Sequence, residues 1–169
     1  MHNYQSLCEI GCFNGRITII LRKFLNNKKY SGYDLNFFAI SIAKFINYFI
    51  YRGKNIFYCK SALNAPIEKS ELFVSIGTLI YLSEFELKKF IRLLKKNNLF
   101  KAFVIHEIFL NEEIISEKKS FKEDNLYIHS ISMIKEEFGK DFKIDIYRTY
   151  YSNWEKKEKI SAILSIKKV

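Results

Sequence analysis

Glu9, His106, Glu107 and His129 are acids and bases that stand at the ends of apolar runs, where a folded chain presents chemistry beside a rigid core. Glu9 lies in LCEIGCFNGR, Leu7 to Arg16, with Gly11 and Gly15 following it. Glycine lets a backbone take positive φ and lets a ligand approach closely. Free N–H groups of a helix amino terminus stand behind such a turn. A dinucleotide site asks for G-x-G-x-x-G, and GCFNG does not supply it. An acid at position 9 repels a pyrophosphate but can organise the charged amine of an amino-acid moiety. His106 and Glu107 lie towards the carboxyl end of the run KAFVIHEIF, and because side chains alternate along a strand only one of them faces a given side. His129 precedes Ser130, a candidate N-cap, and follows a long polar stretch. A lone histidine is more often a structural residue than a base, so each of these positions also has a packing role to fill.

The elements that position these residues alternate between strand and helix patterns. SLCEIGC is a strand, and Ile17, Ile20, Leu21 and Phe24 follow at helical spacing. YSGYDL is a second strand, and Phe37–Tyr51 a strongly apolar helix. NIFYCK and ELFVSIG are the third and fourth strands. SEFELKKFIRLLKK is a helix with a capping box at Ser83 and Glu86 and a face of Leu87, Phe90, Ile91 and Leu94. KAFVIHEIF is the fifth strand, and SISMIKEEFG a helix closed by Gly139. FKIDIYRTYYS and KISAILSIKKV are then joined by the short turn NWEKKE, so they pair antiparallel. The pattern predicts an α/β, Rossmann-like three-layer sandwich: a mostly parallel seven-stranded sheet ending in an antiparallel β-hairpin. Residues 1–169 read as a single domain. The segment LNEEIISEKKSFKEDNLYIH is expected to be irregular, a mobile loop over the ligand side.

The chain has 169 residues and a formal net charge of +10, enough for one core and suited to phosphates or an anionic surface. Interleaved segments such as KKFIRLLKK have the form of ordinary amphipathic surface helices, so a nucleic-acid partner is not favoured. Three cysteines, Cys8, Cys12 and Cys59, have no metal-ligand spacing and are expected as buried free thiols. No metal site is expected. No leader and no transmembrane segment is expected, which points to the cytoplasm. The Phe37–Tyr51 stretch is too short to span a bilayer; it is expected to be a buried helix, with a membrane-surface helix the lesser reading. Oligomeric state is not legible.

CEIGCFNGR resembles motif I of the class I S-adenosylmethionine-dependent methyltransferases, E/D-x-G-x-G-x-G. Glu9, Gly11 and Gly15 match, and Phe13 takes the middle glycine's place. The resemblance continues in order along nearly the whole chain. GYDL places Asp34 where the family's acid holds the ribose hydroxyls, about 20 residues past the turn, with Leu35 next to it. YCKSALNAP places Ser61 and Ala62 beside the adenine, where the family usually has an acid. ELFVSIGTLIYLS brings Ser75, Ile76 and Leu79 to the cofactor, and Cys12 and Phe13 line the turn. The closing hairpin matches the family's last two strands. Helices that usually precede the first strand are not matched, which implies a minimal or amino-terminally truncated version.

The resemblance implies methyl transfer from S-adenosylmethionine, with a small-molecule acceptor such as a sugar or metabolite hydroxyl. An RNA or protein acceptor is the alternative, on the strength of the charge; a degenerate cofactor-binding module without activity is another. The displacement needs a nucleophile held in near-attack geometry. A base is required only for a weakly acidic hydroxyl or a protonated amine. His129 and His106 are the candidates, with Glu107 and Tyr81 beside them.

Overall fold

A computed structural model describes residues 4–20, 28–52, 55–64, 67–110, 120–149 and 159–169. The elements follow the expected alternation: β1 (Ser6–Ile10), α1 (Arg16–Ile20), β2 (Lys29–Asp34), α2 (Phe37–Tyr51), β3 (Ile56–Cys59), β4 (Leu72–Ile76), a 3-10 turn (Leu79–Tyr81), α3 (Glu84–Lys96), β5 (Ala102–Leu110), β6 (Ser120–Glu123), β7 (Leu126–His129), α4 (Ile131–Phe138), β8 (Phe142–Thr149) and β9 (Lys159–Lys168). Parallel pairing runs β3-β2-β1-β4-β5. β9 then lies antiparallel along the whole of β5, and β8 antiparallel on β9 from Phe142↔Lys168 to Thr149↔Ser161. This is the α/β Rossmann-like sheet and closing hairpin that the alternation predicts. β1 has β2 on one side and β4 on the other, so the strand order reverses there. Ligands of open α/β sheets bind outside the carboxyl ends of the strands at such a switch point.

The caps are those the sequence specifies. Ser83 and Glu86 form the capping box of α3, and Ser130 accepts the Met133 N–H at the start of α4. Leu87, Phe90, Ile91 and Leu94 of α3 and Ile131, Met133, Ile134 and Phe138 of α4 are buried with Phe73, Phe103 and Ile105 of the sheet. A smaller core on the other face joins Ile40 and Ala43 of α2 to Leu7, Cys12, Tyr30, Phe57 and Val74.

Three expectations are corrected. The segment after β5 is not wholly irregular: it includes the β6–β7 hairpin, turning at Asp124, whose φ of 53° suits a tight reversal. Phe109 of β5 pairs with His129, and β9 holds the other edge of β5. β7 therefore takes the β4 side of β5, beyond the last β4 pair at Ile76↔His106. Residues 111–119 of that segment lie outside the described residues. The second correction concerns α2. Ala39, Ile40, Ala43 and Asn47 are buried, while Phe37, Phe38, Phe45, Tyr48 and Phe49 face outward; composition registers apolar content, not which stripe meets the sheet. The third concerns Cys59, which is exposed, while Cys8 and Cys12 are buried as expected. Among the described residues no group of acids, histidines and cysteines is arranged to hold a metal, and no helix is long and apolar enough to cross a membrane.

Candidate functional site

The β1–α1 turn is built on β2. The Gly11 and Cys12 amides donate to the Tyr33 carbonyl at 2.7 and 3.1 Å, and the Gly15 amide to the Cys12 carbonyl at 2.8 Å. Gly11, Phe13 and Gly15 all have positive φ, at 76°, 47° and 77°. For a phenylalanine this left-handed conformation is strained, at about 1–2 kcal/mol. Asp34 supports it: Oδ2 accepts the Phe13 N–H at 2.8 Å and Oδ1 accepts the Asn36 N–H at 2.8 Å. The Phe13 ring is 55% exposed and stands at the rim of the cleft. The turn thus keeps the backbone shape of a middle glycine while carrying an aromatic wall.

Gly11 has a second constraint. A β-carbon there would lie 1.8 Å from Thr78 Oγ1 and 2.5 Å from Thr78 Cβ. The loop after β4 therefore rests directly on the turn after β1. Glu107 holds that loop from below: its Oε1 accepts the Thr78 and Leu79 amides at 2.8 and 2.9 Å. Burial raises the Glu107 carboxyl pKa to about 7, against the lowering effect of those two N–H groups. His129, from β7, reaches the same loop with Nε2 at 3.0 Å from the Leu82 carbonyl. A carbonyl only accepts, so Nε2 carries the hydrogen of this bond; burial lowers the pKa of the ring.

Together these elements enclose a cleft of about 690 Å³ at the carboxyl ends of β1, β2, β3 and β4. Of the residues singled out in the sequence, Gly11, Phe13, Asp34, Leu35, Ser61, Ala62 and Ile76 line it. Glu9, Cys12, Gly15, Ser75 and Leu79 are buried behind its wall. Glu9 accepts a hydrogen bond from the Tyr30 hydroxyl, and burial pushes its pKa up to about 7. Ser61 accepts the Leu63 N–H at 3.2 Å and shapes the loop after β3. His106 faces an adjoining hollow of about 220 Å³ with Ile80, Ile108 and Ser161, on the other side of Ile76 and Gly77; burial lowers its pKa. His129 touches neither space and braces the loop that closes the cleft. Tyr81 lines the cleft and is 61% exposed.

Sequence reasoning did not find Tyr33, Asn36, Lys60, Leu63, Thr78 and Leu82, which also line the cleft. Asn36 had a signal, since it caps α2 through the Ala39 N–H at 3.0 Å. Thr78 had none: its importance lies in meeting Gly11 across strands distant in sequence.

No protein-family model matches the chain, and no curated protein matches it. Solved structures match its fold. Magnesium protoporphyrin IX methyltransferase from Synechocystis PCC 6803, with bound SAM, aligns over 96% of this chain and 69% of its own at 17% identity and a TM-score of 0.69. The O-methyltransferase from a trans-AT polyketide synthase multienzyme of Brevibacillus brevis, in complex with S-adenosyl-L-homocysteine, aligns over 98% and 67% at 11% identity and a TM-score of 0.75. The cyclase SpnF aligns over 96% and 75% at 14% identity and a TM-score of 0.70. The chain has the class I methyltransferase fold, which carries more than one kind of chemistry among these neighbours.

Proposed function

We propose that this chain binds S-adenosylmethionine in the cleft and transfers its methyl group to a hydroxyl of a small-molecule acceptor. The observation that carries this reading is the convergence of the Gly11 turn, the Asp34 carboxylate and the Ile76–Leu82 loop on one cleft at the switch point of the sheet. The donor set fits the cofactor. Each Asp34 oxygen accepts one backbone N–H and has a further lone pair for a ribose hydroxyl. Ser61, Ala62 and Leu63 offer a small apolar wall for a flat base, and Ile76 another for an aliphatic chain. Glu9 does not fit a direct role with the amine, because it is buried and engaged by Tyr30.

The cofactor supplies a methyl group already activated on a sulfonium. The chain's own task is alignment and exclusion of water. Tyr81, exposed on the cleft wall, is placed to hold an acceptor hydroxyl. Neither described histidine lines this cleft, so neither is in direct reach of an acceptor bound there. Lys60 is the one cation among the described lining residues. A polyanion track needs several, which favours a small acceptor over RNA.

Thermal melting with S-adenosylhomocysteine tests the binding step, since a ligand of the native state raises Tm by mass action. The expected result is a rise with S-adenosylhomocysteine, none with NAD, and a smaller rise in Asp34→Ala. Tritium from methyl-labelled S-adenosylmethionine should then enter the small-molecule fraction of a cell extract, not its RNA or protein. No shift at saturating ligand would favour a chain that has the fold without the cofactor.

A further inference from the structure

Aromatic and aliphatic side chains cover the outward face of α2. Phe38, Ile42, Phe45 and Phe49 recur at the four- and three-residue steps that make one helical stripe. Phe38 is 78% exposed, Phe45 66% and Phe49 65%. Phe37 and Tyr48 flank the stripe and are also exposed. The apolar surface begins at the cleft, where Phe13 and Leu35 are exposed on the rim. An exposed apolar helix face of this kind marks an interaction surface.

The charge around it selects the partner. From Leu35 through Ile67 the chain has no carboxylate, while Lys44, Arg52, Lys54 and Lys60 fall within that stretch. Lys44 stands exposed beside the stripe, Arg52 caps the far end of α2, and Lys60 is exposed next to the cleft. A second copy seated face to face on α2 would add a second Lys44 and a second Arg52 to the interface, and α2 itself carries no acid to pair them. An anionic lipid surface accepts both features at once: acyl chains cover the phenylalanines, and headgroup phosphates meet the cations. A lysine beside an apolar stripe reaches such phosphates along its own stem.

We propose that α2 seats this protein on an anionic membrane surface, with the Phe38–Ile42–Phe45–Phe49 stripe in the headgroup–acyl boundary and the cleft rim at Leu35 beside the lipid. The docking stands on the surface alone and does not depend on what the cleft binds.

Co-sedimentation of the full chain with large unilamellar vesicles tests it. One vesicle is phosphatidylglycerol and phosphatidylcholine in equal parts; the other is phosphatidylcholine alone. The expected result is binding to the first and little to the second. The double variant Phe45→Gln, Phe49→Gln should weaken it roughly a hundredfold, from the apolar area of two phenylalanines. Lys44→Gln should weaken it about fivefold. Both variants change exposed positions and should melt with the parent. Absence of binding to the anionic vesicles would overturn the proposal. So would anionic binding that the double variant retains in full, since that is charge attraction without insertion. A concentration-dependent dimer in sedimentation velocity, dissolved by the same double variant, would assign the face to a second copy instead.

Discussion

The Phe13 amide donates to Asp34 Oδ2 at 2.8 Å across 21 positions of sequence, and the Asn36 amide donates to Oδ1 at 2.8 Å. One carboxylate therefore fixes the strained turn after β1 and the entry to α2 at the same time. Asp34→Ala should cost about 1–2 kcal/mol of stability through these two bonds as well as weakening S-adenosylhomocysteine binding. Asp34→Asn keeps an acceptor oxygen for one of the amides, so it should recover part of the stability. Urea unfolding of both variants, beside ligand-induced shifts in Tm, separates the two effects.

Phe13 holds a left-handed backbone at φ 47° with its ring half exposed. Phe13→Gly releases a strain of about 1–2 kcal/mol, offset by about 0.5–1 kcal/mol of added chain entropy. The variant should be equal to the parent or up to about 1.5 kcal/mol more stable. If the ring forms a wall of the occupied cleft, the same variant should bind S-adenosylhomocysteine more weakly. Calorimetric titration decides whether the strained residue serves the ligand.

The contact of Gly11 with Thr78 predicts coupling between two distant loops. Gly11→Ala sets a β-carbon at φ 76° and 1.8 Å from Thr78 Oγ1, which should destabilise by about 2–5 kcal/mol. Thr78→Gly in the same chain removes the clash but not the φ strain. The double variant should recover more than half of the loss. Additive effects in the double-mutant cycle would show that the two loops do not meet.

Buried Glu9 gives a pH dependence of known sign. Its pKa rises from 4.5 to about 7 on folding, first through burial and against the Tyr30 hydrogen bond. The native state therefore holds a proton that the unfolded chain loses between these values. Glu9's contribution to stability is full below pH 4.5 and is lost as pH rises towards 7. Glu9→Gln keeps the acceptor for Tyr30 and has no charge to bury. The variant should match the parent near pH 4.5 and exceed it by at most about 3 kcal/mol at pH 8. Equal stability across this range would show that Glu9 titrates normally. Subtracting parent from variant at each pH removes the opposing contribution of the histidines.

His129 meets the Leu82 carbonyl at 3.0 Å and lines no part of the cleft. His129→Ala should destabilise by about 1–3 kcal/mol by leaving a carbonyl without its donor. Turnover by the folded fraction should change by only a few-fold, and its pH profile should keep its shape. A loss of a hundredfold or more at unchanged Tm would restore His129 as a base.

Periodicity and end signals made the frame of this protein legible without coordinates. Apolar runs separated by glycine turns and by helical spacing specify β1 to β5. Ser83 with Glu86 and Ser130 with Gly139 bound α3 and α4 through hydrogen bonds local in sequence. The short polar link before Lys159 required an antiparallel end to the sheet. The turn glycines and Asp34 were legible because strand ends at a switch point are where an α/β sheet binds.

Contacts across the sheet decided the rest. Alternation along β5 allows either His106 or Glu107 to face a given side, and only the packing of β4 against β5 turns Glu107 to the amides of Thr78 and Leu79. Glu9 is an ordinary acid in the sequence, and in the fold it is buried, with the hydroxyl of Tyr30 from β2 donating to it. The β6–β7 hairpin is not legible in the sequence because its segment is polar and its place depends on the pairing of His129 with Phe109, distant in sequence. Composition assigns α2 to the interior, yet the buried side chains among its described residues are Ala39, Ile40, Ala43 and Asn47. Local sequence determines which segments are strands and helices, because their bonds close within a few residues. Which face each segment buries is set by surfaces that meet only when the whole sheet has formed.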